Sequence, residues 1–479
     1  MAYAEITPSV FPPVIAIFSM ATRSCITLYN FFIYNSNFGP REGEEHKKIL
    51  FFHPPDASID TKIKAVGLCE ALVKFTETFS DQPCESLHTL KTRQVFFQAE
   101  KDFWMVITVT IPRSESEKDG QPITEYHEED VQDSVFRAVL EQSYKMFKLF
   151  MGTFTNIIEK TNLDQLIYRM DHFYSRYLGT LRLSQADIME VENGIHFLPL
   201  DKNTYLRIQC FINLIEATFS QVKYTAFLYN DQLVWSGLEQ DDMRVLYKYL
   251  TTSLFPSSLE TELKESPKTG GPLPQMTSSS HYGKYVTGPP NLSDPSNCGR
   301  IPHIYVNTDS KYEELNLIVY RALSATVCLM VETSNIPGFE WYRSIDSFLG
   351  PQLSSLASDI SEQYNKRTSV PSEQQYKYIY FNHMNLAQKT TIHNRKTLSA
   401  IINPEIIRLI ADINADFDKT VDDVETVMKT MLDCWVVGKK SDQREFYVVI
   451  NQKNANLIEI NEEVKRLCST HFNNIFFLD

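Results

Sequence analysis

The sequence predicts an α+β protein built from three copies of one ββαβββα unit, joined by linker helices. Its 479 residues are too many for one ordinary core, and 43% of them are hydrophobic, which is enough for several packed interiors. The same order of strand-like and helix-like patterns recurs three times along the chain. Each copy is expected to form a five-stranded antiparallel sheet with helices on both faces, because this arrangement buries both sides of the sheet.

The third copy carries the clearest signals. Its first helix begins at residues 403–405, where an asparagine caps the helix, a proline fits the first turn and an acid complements the helix dipole. Turn-forming sequence at 438–443 and 451–456 separates three strands. The strands are predicted at 376–382, 389–396, 434–437, 446–451 and 457–460, and the last helix is predicted to begin at Asn461.

The other two copies follow the same order. In the second copy, strands are predicted at 224–229, 232–236, 283–286, 303–307 and 315–331. One helix, which carries Met243, Leu246, Tyr247 and Leu250, is predicted after the second strand, and another at 342–364. In the first copy, strands are predicted at 31–35, 49–53, 87–90, 94–98 and 103–111, and helices at 61–79 and 128–151. Two further helices, at 163–181 and 201–219, link the first copy to the second.

These patterns divide the chain into domains. The stretch 256–300 contains seven of the 22 prolines and five of the 16 glycines, which is too little apolar material to offset the entropy of ordering. We therefore predict a disordered loop at 257–300 within the second domain. The predicted division is a leader at 1–30, a first domain at 31–155, linker helices at 156–221, a second domain at 222–368 and a third domain at 374–479.

Composition and motifs disfavour several classes of function. A net charge of −14 disfavours nucleic-acid binding, and the eight cysteines form no C-x-x-C pair. The sequence contains no P-loop, no G-x-G-x-x-G and no H-E-x-x-H, and Val234 replaces the first glycine that a nucleophile elbow at Ser236 needs. We predict no catalytic residue, no metal site and no cofactor. The apolar stretch 10–20 is short and interrupted by prolines, so a cytosolic location is expected.

The helix predicted at 61–79 has two apolar stripes, whereas a surface helix needs only one. The predicted core stripe is Ala65, Leu68, Cys69, Leu72, Thr76 and Phe79. The second stripe is Ile63, Val66 and Val73, beside Gly67, which permits close approach. Either the linker helices cover the second stripe, or it is a protein-binding face with Lys64, Glu70 and Lys74 at its rim.

Five strings carry a resemblance to a known family. The strings are FFIYNSNFGPREG (31–43), VGLCEALVKFTETF (66–79), VKYTAFLYNDQLVWSGLEQDDMRVLYKYLTTSLFP (222–256), FNHMNLAQKT (381–390) and NQKNANLIEINEEVKRLCSTHFNNIFFLD (451–479). With these strings and its repeated unit, the chain resembles the longin/roadblock superfamily, and within it the animal Ccz family (calcium–caffeine–zinc sensitivity), the Ccz subunit of the Mon–Ccz fusion complex. The resemblance covers about 31–479 and leaves 1–30 unmatched.

The resemblance implies three longin domains, the first of which pairs with a Mon-type subunit. The pair is expected to act as a guanine-nucleotide exchange factor for the late-endosomal Rab GTPase, without covalent chemistry. It is expected to be recruited peripherally to late endosomes and lysosomes, with a third, regulatory subunit on the second and third domains. From helix geometry and the family's use of the first-domain helices, we predict six residues that face the GTPase or the partner: Ile63, Lys64, Val66, Gly67, Glu70 and Lys74.

Two alternatives remain open from the residues. One is a scaffold or tether that binds the GTP-loaded Rab without exchanging its nucleotide. The other is a hydrolase or transferase with a site whose members lie far apart in sequence, which a deep pocket of convergent polar groups would support.

Overall fold

The computed structural model describes residues 23–81, 84–118, 121–265, 282–308, 311–334, 338–368, 376–393, 403–431 and 433–472. Three separate antiparallel sheets lie along the chain, and each has helices packed on both of its faces. The predicted α+β class and its three repeated units are therefore confirmed.

The first unit has a five-stranded sheet in the order β2-β1-β5-β4-β3, with α1 on one face and α2 on the other. Helix α1 begins two residues earlier than predicted, because the Ser58 side chain accepts a hydrogen bond from the Thr61 amide and caps it. A two-stranded hairpin that the sequence analysis missed precedes α2. The elements are β1 (Leu28–Asn35), β2 (Ile49–His53), α1 (Ile59–Thr76), β3 (Ser86–His88), β4 (Thr92–Glu100), β5 (Phe103–Thr110), β6 (Arg113–Lys118), β7 (Gln121–Tyr126) and α2 (Asp133–Met151).

Four helices connect the first two units. The two predicted linker helices are present as α4 and α6, and the two short ones were missed because they span at most two turns. Glu100 holds the start of α3, since its carboxylate accepts hydrogen bonds from the amides of Phe154 and Thr155. The helices are α3 (Phe154–Lys160), α4 (Leu163–Tyr177), α5 (Ile188–Glu192) and α6 (Lys202–Thr218).

The second unit has six strands, one more than predicted. The predicted strand 315–331 is two strands, with a turn at Leu323, which adopts a positive φ of 53°. Strand β12 is long enough to pair with β11 along its first half and with β10 along its second half. The elements are β8 (Val222–Tyr229), β9 (Gln232–Ser236), α7 (Gln240–Tyr249), α8 (Phe255–Glu265), β10 (Lys284–Thr287), β11 (His303–Thr308), β12 (Lys311–Ala322), β13 (Ala325–Glu332) and α9 (Phe339–Thr368).

The predicted disordered loop at 257–300 overlaps ordered structure. Residues 257–265 belong to α8 and residues 284–287 to β10, whose Tyr285 packs in the core of the second unit. Residues 266–281 lie outside the described part of the chain.

In the third unit, one predicted strand is wrong and one strand was not predicted. The strand predicted at 457–460 is the first turn of α11, because Asn456 and Glu459 cap the helix reciprocally, each side chain accepting from the other's amide. The edge strand β16 was missed, and Gly438 lies within β17 rather than in a turn, where its lack of a side chain lets Ile413 approach. The elements are β14 (Lys377–Asn382), β15 (Ala387–Thr390), α10 (Pro404–Asp418), β16 (Val424–Lys429), β17 (Trp435–Ser441), β18 (Arg444–Ile450) and α11 (Leu457–Phe472).

One stretch, residues 187–198, contacts all three units, and we call it the junction segment. Towards the first unit, the side-chain amide of Asn193 donates a hydrogen bond of 2.7 Å to the side-chain oxygen of Gln142 in α2. Towards the second unit, Glu190 forms an ion pair of 2.6 Å with Lys248 of α7. The segment therefore connects the first two units through Glu190, in the middle of α5, and Asn193, directly after its end.

The junction segment also pairs with the edge strands of the second and third sheets. The Leu198 amide donates to the Leu233 carbonyl of β9 at 2.9 Å. The Ile195 amide donates to the Leu386 carbonyl at 2.8 Å, and Ile195 accepts in turn from Gln388 of β15. Both edges are thereby covered by backbone pairing within the chain.

Replacing Gly194 with alanine is expected to loosen the junction. A Cβ atom there would lie 2.5 Å from the Gln388 Cβ and 2.7 Å from the Phe381 ring, which is too close for real atoms. We expect Gly194→Ala to cost about 1–3 kcal/mol. Hydrogen exchange should accelerate in β15 and the junction segment, and unchanged exchange in both would contradict this packing.

Candidate interaction surface on helix α1 of the first unit

Helix α1 carries the six residues that were predicted to face a partner, and the structure separates them. Lys64, Gly67 and Lys74 are exposed, and Ile63 and Glu70 are half-buried. The prediction that Val66 faces a partner is wrong, because its side chain is only 2% exposed. It packs against the sheet of its own unit and is not at the surface.

The predicted core stripe of α1 is right in part: Cys69 is buried, and Ala65 and Leu72 are half-buried against the same core cluster. The buried side also includes two residues of the predicted second stripe. The structure buries Val66, Cys69 and Val73, which are spaced three and four residues apart and so point to one side. Leu68 and Phe79, which were predicted in the core, are 53% and 67% exposed. Both stripes are apolar, so the hydrophobic pattern could not show which one meets the sheet.

The side of α1 that points away from the sheet carries the apolar side chains of Leu68 and Phe75, and Phe79 follows in the turn after the helix. We call these three residues the outer face of α1. Phe75 is 64% exposed, and its ring meets the Phe79 ring edge-on at 5.1 Å. Exposed large side chains that are grouped in this way are typical of protein-binding sites, because water solvates them poorly. The outer face is therefore the candidate interaction surface.

An ion-pair cluster lies beside the outer face. One carboxylate oxygen of Glu70 forms an ion pair with the Lys48 ammonium and the other with the Lys74 ammonium, each at an N–O distance of 2.6 Å. Burial alone would raise the pKa of Glu70, but the two lysine hydrogen bonds outweigh it and lower the pKa below the usual range. Glu70 is thus a fixed negative charge between two positive ones, which gives the rim a defined charge pattern.

The corresponding helices of the other two units are covered within the chain. Helix α7 packs against α2 of the first unit, and α10 packs against α5. Gln132 at the start of α2 also donates to the Arg408 carbonyl and to the Asp412 carboxylate of α10. In the described residues, no large apolar side chain is exposed on either helix.

The edge strands show the same contrast. Strand β2 is an edge of the first sheet, as β9 and β15 are edges of theirs. The junction segment pairs with β9 and β15, whereas β2 pairs only with β1 across the described part of the chain. Among the described residues, the first unit is therefore the one whose helix face and second-strand edge are both uncovered.

Replacing Gly67 with alanine is expected to stabilise the isolated chain. No atom lies within 4 Å of a Cβ built at Gly67, and glycine is about 1 kcal/mol less favourable than alanine inside a helix. We expect Gly67→Ala to raise the unfolding free energy of the first unit by about that amount, measured by hydrogen exchange of α1. A lower value would show that the site is less open than described.

A cleft between the first two units is the place to look for a hidden active site. Its lining includes Lys145 of α2, Asp242 of α7 and Tyr305 of β11. Burial lowers the pKa of Lys145 and raises that of Asp242. Among the described residues that line it there is no serine, cysteine or histidine, so it brings together no nucleophile and base of the usual kind.

No helix in the described ranges combines the length and the apolar character that crossing a membrane requires.

Comparison with known proteins covers almost the whole chain. Three family models match: the first Longin domain of INTU, CCZ1 and HPS4 at 28–152, Intu longin-like domain 2 at 222–350 and Intu longin-like domain 3 at 372–467. The vacuolar fusion protein CCZ1 homolog of Nematostella vectensis is 59% identical over 461 residues, which is 96% of this chain and 100% of the relative.

More distant relatives match over the same length. The homolog of Xenopus laevis that bears the same name is 54% identical over 467 residues, covering 95% of this chain and 98% of the relative. The homolog of Dictyostelium discoideum is 32% identical over 455 residues, which cover 94% of this chain and 98% of the relative. The similarity therefore extends across all three units and the helices between them.

Proposed function

The chain belongs to the CCZ1 family of vacuolar fusion proteins, and from this premise we propose that it is one subunit of a heterodimeric guanine-nucleotide exchange factor. Its partner is a Mon-type longin subunit, and the pair activates the late-endosomal Rab GTPase. This activity promotes endosome maturation, vesicle-mediated transport and fusion with the lysosome or vacuole, including autophagosome fusion.

The asymmetry between the three units is the observation that carries the proposal. Units two and three use their helices and strand edges to hold the chain together, whereas the first unit leaves the outer face of α1 and the edge of β2 uncovered. An uncovered apolar helix face next to an uncovered strand edge suits a second longin domain with the same two features. This supports the first unit as the site of pairing.

Nucleotide exchange agrees with the type of surface that the first unit presents. An exchange factor makes and breaks no covalent bond, and it acts by binding the nucleotide-free GTPase more tightly than the loaded form. A face of apolar side chains with a charged rim can supply such differential binding. A catalytic dyad is not needed, so its absence from the motifs of the sequence does not count against the proposal.

We assign roles on α1 from where its residues lie. Leu68, Phe75 and Phe79 provide the apolar contact, and Val66 supports the helix from beneath. The remaining predicted residues form the rim that meets the partner or the GTPase: Ile63, Lys64, Gly67, Glu70 and Lys74.

The other surfaces of the chain remain for further partners. A third, regulatory subunit docks on the second and third units, and the complex contacts late-endosomal and lysosomal membranes peripherally. Nucleic acid is not a partner, which agrees with a net charge of −14.

Release of a fluorescent GDP analogue from the late-endosomal Rab tests the proposal. The chain is assayed alone, the Mon-type partner alone, and the two together. We expect strong acceleration only by the pair. If an assembled pair accelerates release from no Rab tested, but this chain binds the GTP-loaded Rab, the chain is a tether and the exchange proposal is wrong.

A further inference from the structure

A cluster of metal-ligating side chains lies where the junction segment meets the third unit. Glu192 comes from the end of α5, Glu445 from β18 and His383 from the turn that follows β14. One ligand atom from each lies within 4.8 Å of the others. Both glutamates are buried, at 3% and 0% exposure, and His383 closes the cluster from the solvent side.

Two more buried side chains complete the cluster. The Asn414 amide nitrogen lies 3.0 Å from Glu192 Oε1, 3.0 Å from Glu445 Oε2 and 3.1 Å from the Tyr447 hydroxyl. Tyr447 donates to Glu445 Oε2 at 2.6 Å, and His383 Nε2 lies 3.0 Å from Glu445 Oε1. An amide group has only two hydrogens, so it cannot satisfy three oxygen atoms at once. The Asn414 amide nitrogen therefore lies among three oxygen atoms and can donate to two of them.

Neither buried carboxylate has a lysine or arginine partner within the described part of the chain, although a buried carboxylate needs a compensating partner. His383 is the basic side chain that contacts Glu445, and Glu192 is contacted by the neutral Asn414 amide. A bound cation would compensate both carboxylates.

We propose that Glu192, His383 and Glu445 bind one divalent metal ion of the zinc class, with the Asn414 side-chain oxygen as a fourth ligand after rotation of its amide. Zinc takes imidazole nitrogen and carboxylate oxygen at about 2.0–2.2 Å, so the ligand atoms need to close to roughly 3.3 Å apart. An imidazole ligand selects zinc over magnesium and calcium, which prefer oxygen atoms only.

The site is placed to join two parts of the chain. Glu192 belongs to the junction segment, whereas the other ligands belong to the third unit, so a bound ion ties the linker to the third sheet. The inference does not depend on the proposed exchange activity. The sequence analysis predicted no metal site, because residues 192, 383, 414 and 445 form no motif along the chain.

Zinc binding to the full-length chain is the test, with zinc sulfate titrated in competition with a fluorescent chelator. The exposed thiols of Cys25, Cys210 and Cys298 are first replaced with serine, because free cysteines bind zinc adventitiously. We expect this parent chain to bind one zinc ion per molecule. Millimolar magnesium or calcium should not displace it.

Two variants and a control locate the ion. We expect His383→Ala and Glu192→Gln to weaken zinc binding at least about tenfold. His393→Ala is the matched control, because His393 pairs with Asp187 of the same junction segment at 2.9 Å but lies outside the cluster. This control should bind zinc as tightly as the parent chain.

The thermal unfolding midpoint, measured with and without zinc, distinguishes a variant that has lost the site from one that has not folded. Zinc should raise the thermal unfolding midpoint of the parent chain and of His393→Ala, and leave that of folded His383→Ala unchanged. If the parent chain binds no zinc, the proposal is wrong. If His383→Ala and the parent bind zinc equally, the ion is held elsewhere and the proposal is also wrong.

Discussion

Replacing both Leu68 and Phe75 with aspartate is expected to reduce the acceleration of GDP release by the pair about 100-fold or more. Both side chains project from the outer face of α1, at 53% and 64% exposure, and so can be changed without disturbing the core of the first unit. The few hot-spot residues at the centre of a protein interface cost about 2 kcal/mol or more each when they are truncated, and we expect Leu68 and Phe75 to be among them. Two charges there also leave carboxylates without partners when the interface forms.

The control for this double variant is Tyr168→Asp on linker helix α4. Tyr168 is likewise a large and exposed side chain, at 66% exposure, but it lies on a different helix. We expect the Tyr168 variant to accelerate release as the wild type does. If the double variant assembles with its partner and retains full activity, the exchange surface is not on the outer face of α1.

Replacing Val66 with aspartate is expected to unfold the first unit rather than to remove a contact with a partner. Val66 packs in the cluster that also contains Phe32, Phe96 and Trp104, between α1 and the sheet. The substitution loses the burial of a valine side chain and places a carboxylate among apolar groups, at a cost of about 4 kcal/mol or more.

Hydrogen exchange distinguishes the two kinds of loss. In Val66→Asp, amides of β1 and β5 should exchange much faster than in the wild type. In Leu68→Asp, two residues along the same helix, their exchange should not change. Equal exchange in both variants would mean that α1 packs in a different phase from the one described.

The elements of the fold could be predicted because they depend on local patterns. The helix at Asn403 was found from its cap and proline, and strands β2 and β9 were placed with their observed ends. The errors arose where local patterns conflict. The apolar run at 457–460 resembles a strand, but the reciprocal cap between Asn456 and Glu459 makes it the start of a helix.

The candidate site was predicted only in part, for a different reason. The sequence showed that α1 has two apolar sides, and therefore that one side meets something other than its own sheet. The phase of the helix depends on how α1 lies on β1 and β5, which is a tertiary property. The junction segment and the cluster around Glu445 depend on contacts between residues more than 50 positions apart, which one sequence does not reveal.

The most direct test of the shared first-unit surface is hydrogen exchange of this chain, measured alone and in complex with a Mon-type longin subunit. We predict slower exchange on binding in β2 and α1, and little change in β9 and β15, whose edges the junction segment already covers. Protection confined to the second and third units, with α1 and β2 unchanged, would contradict the account.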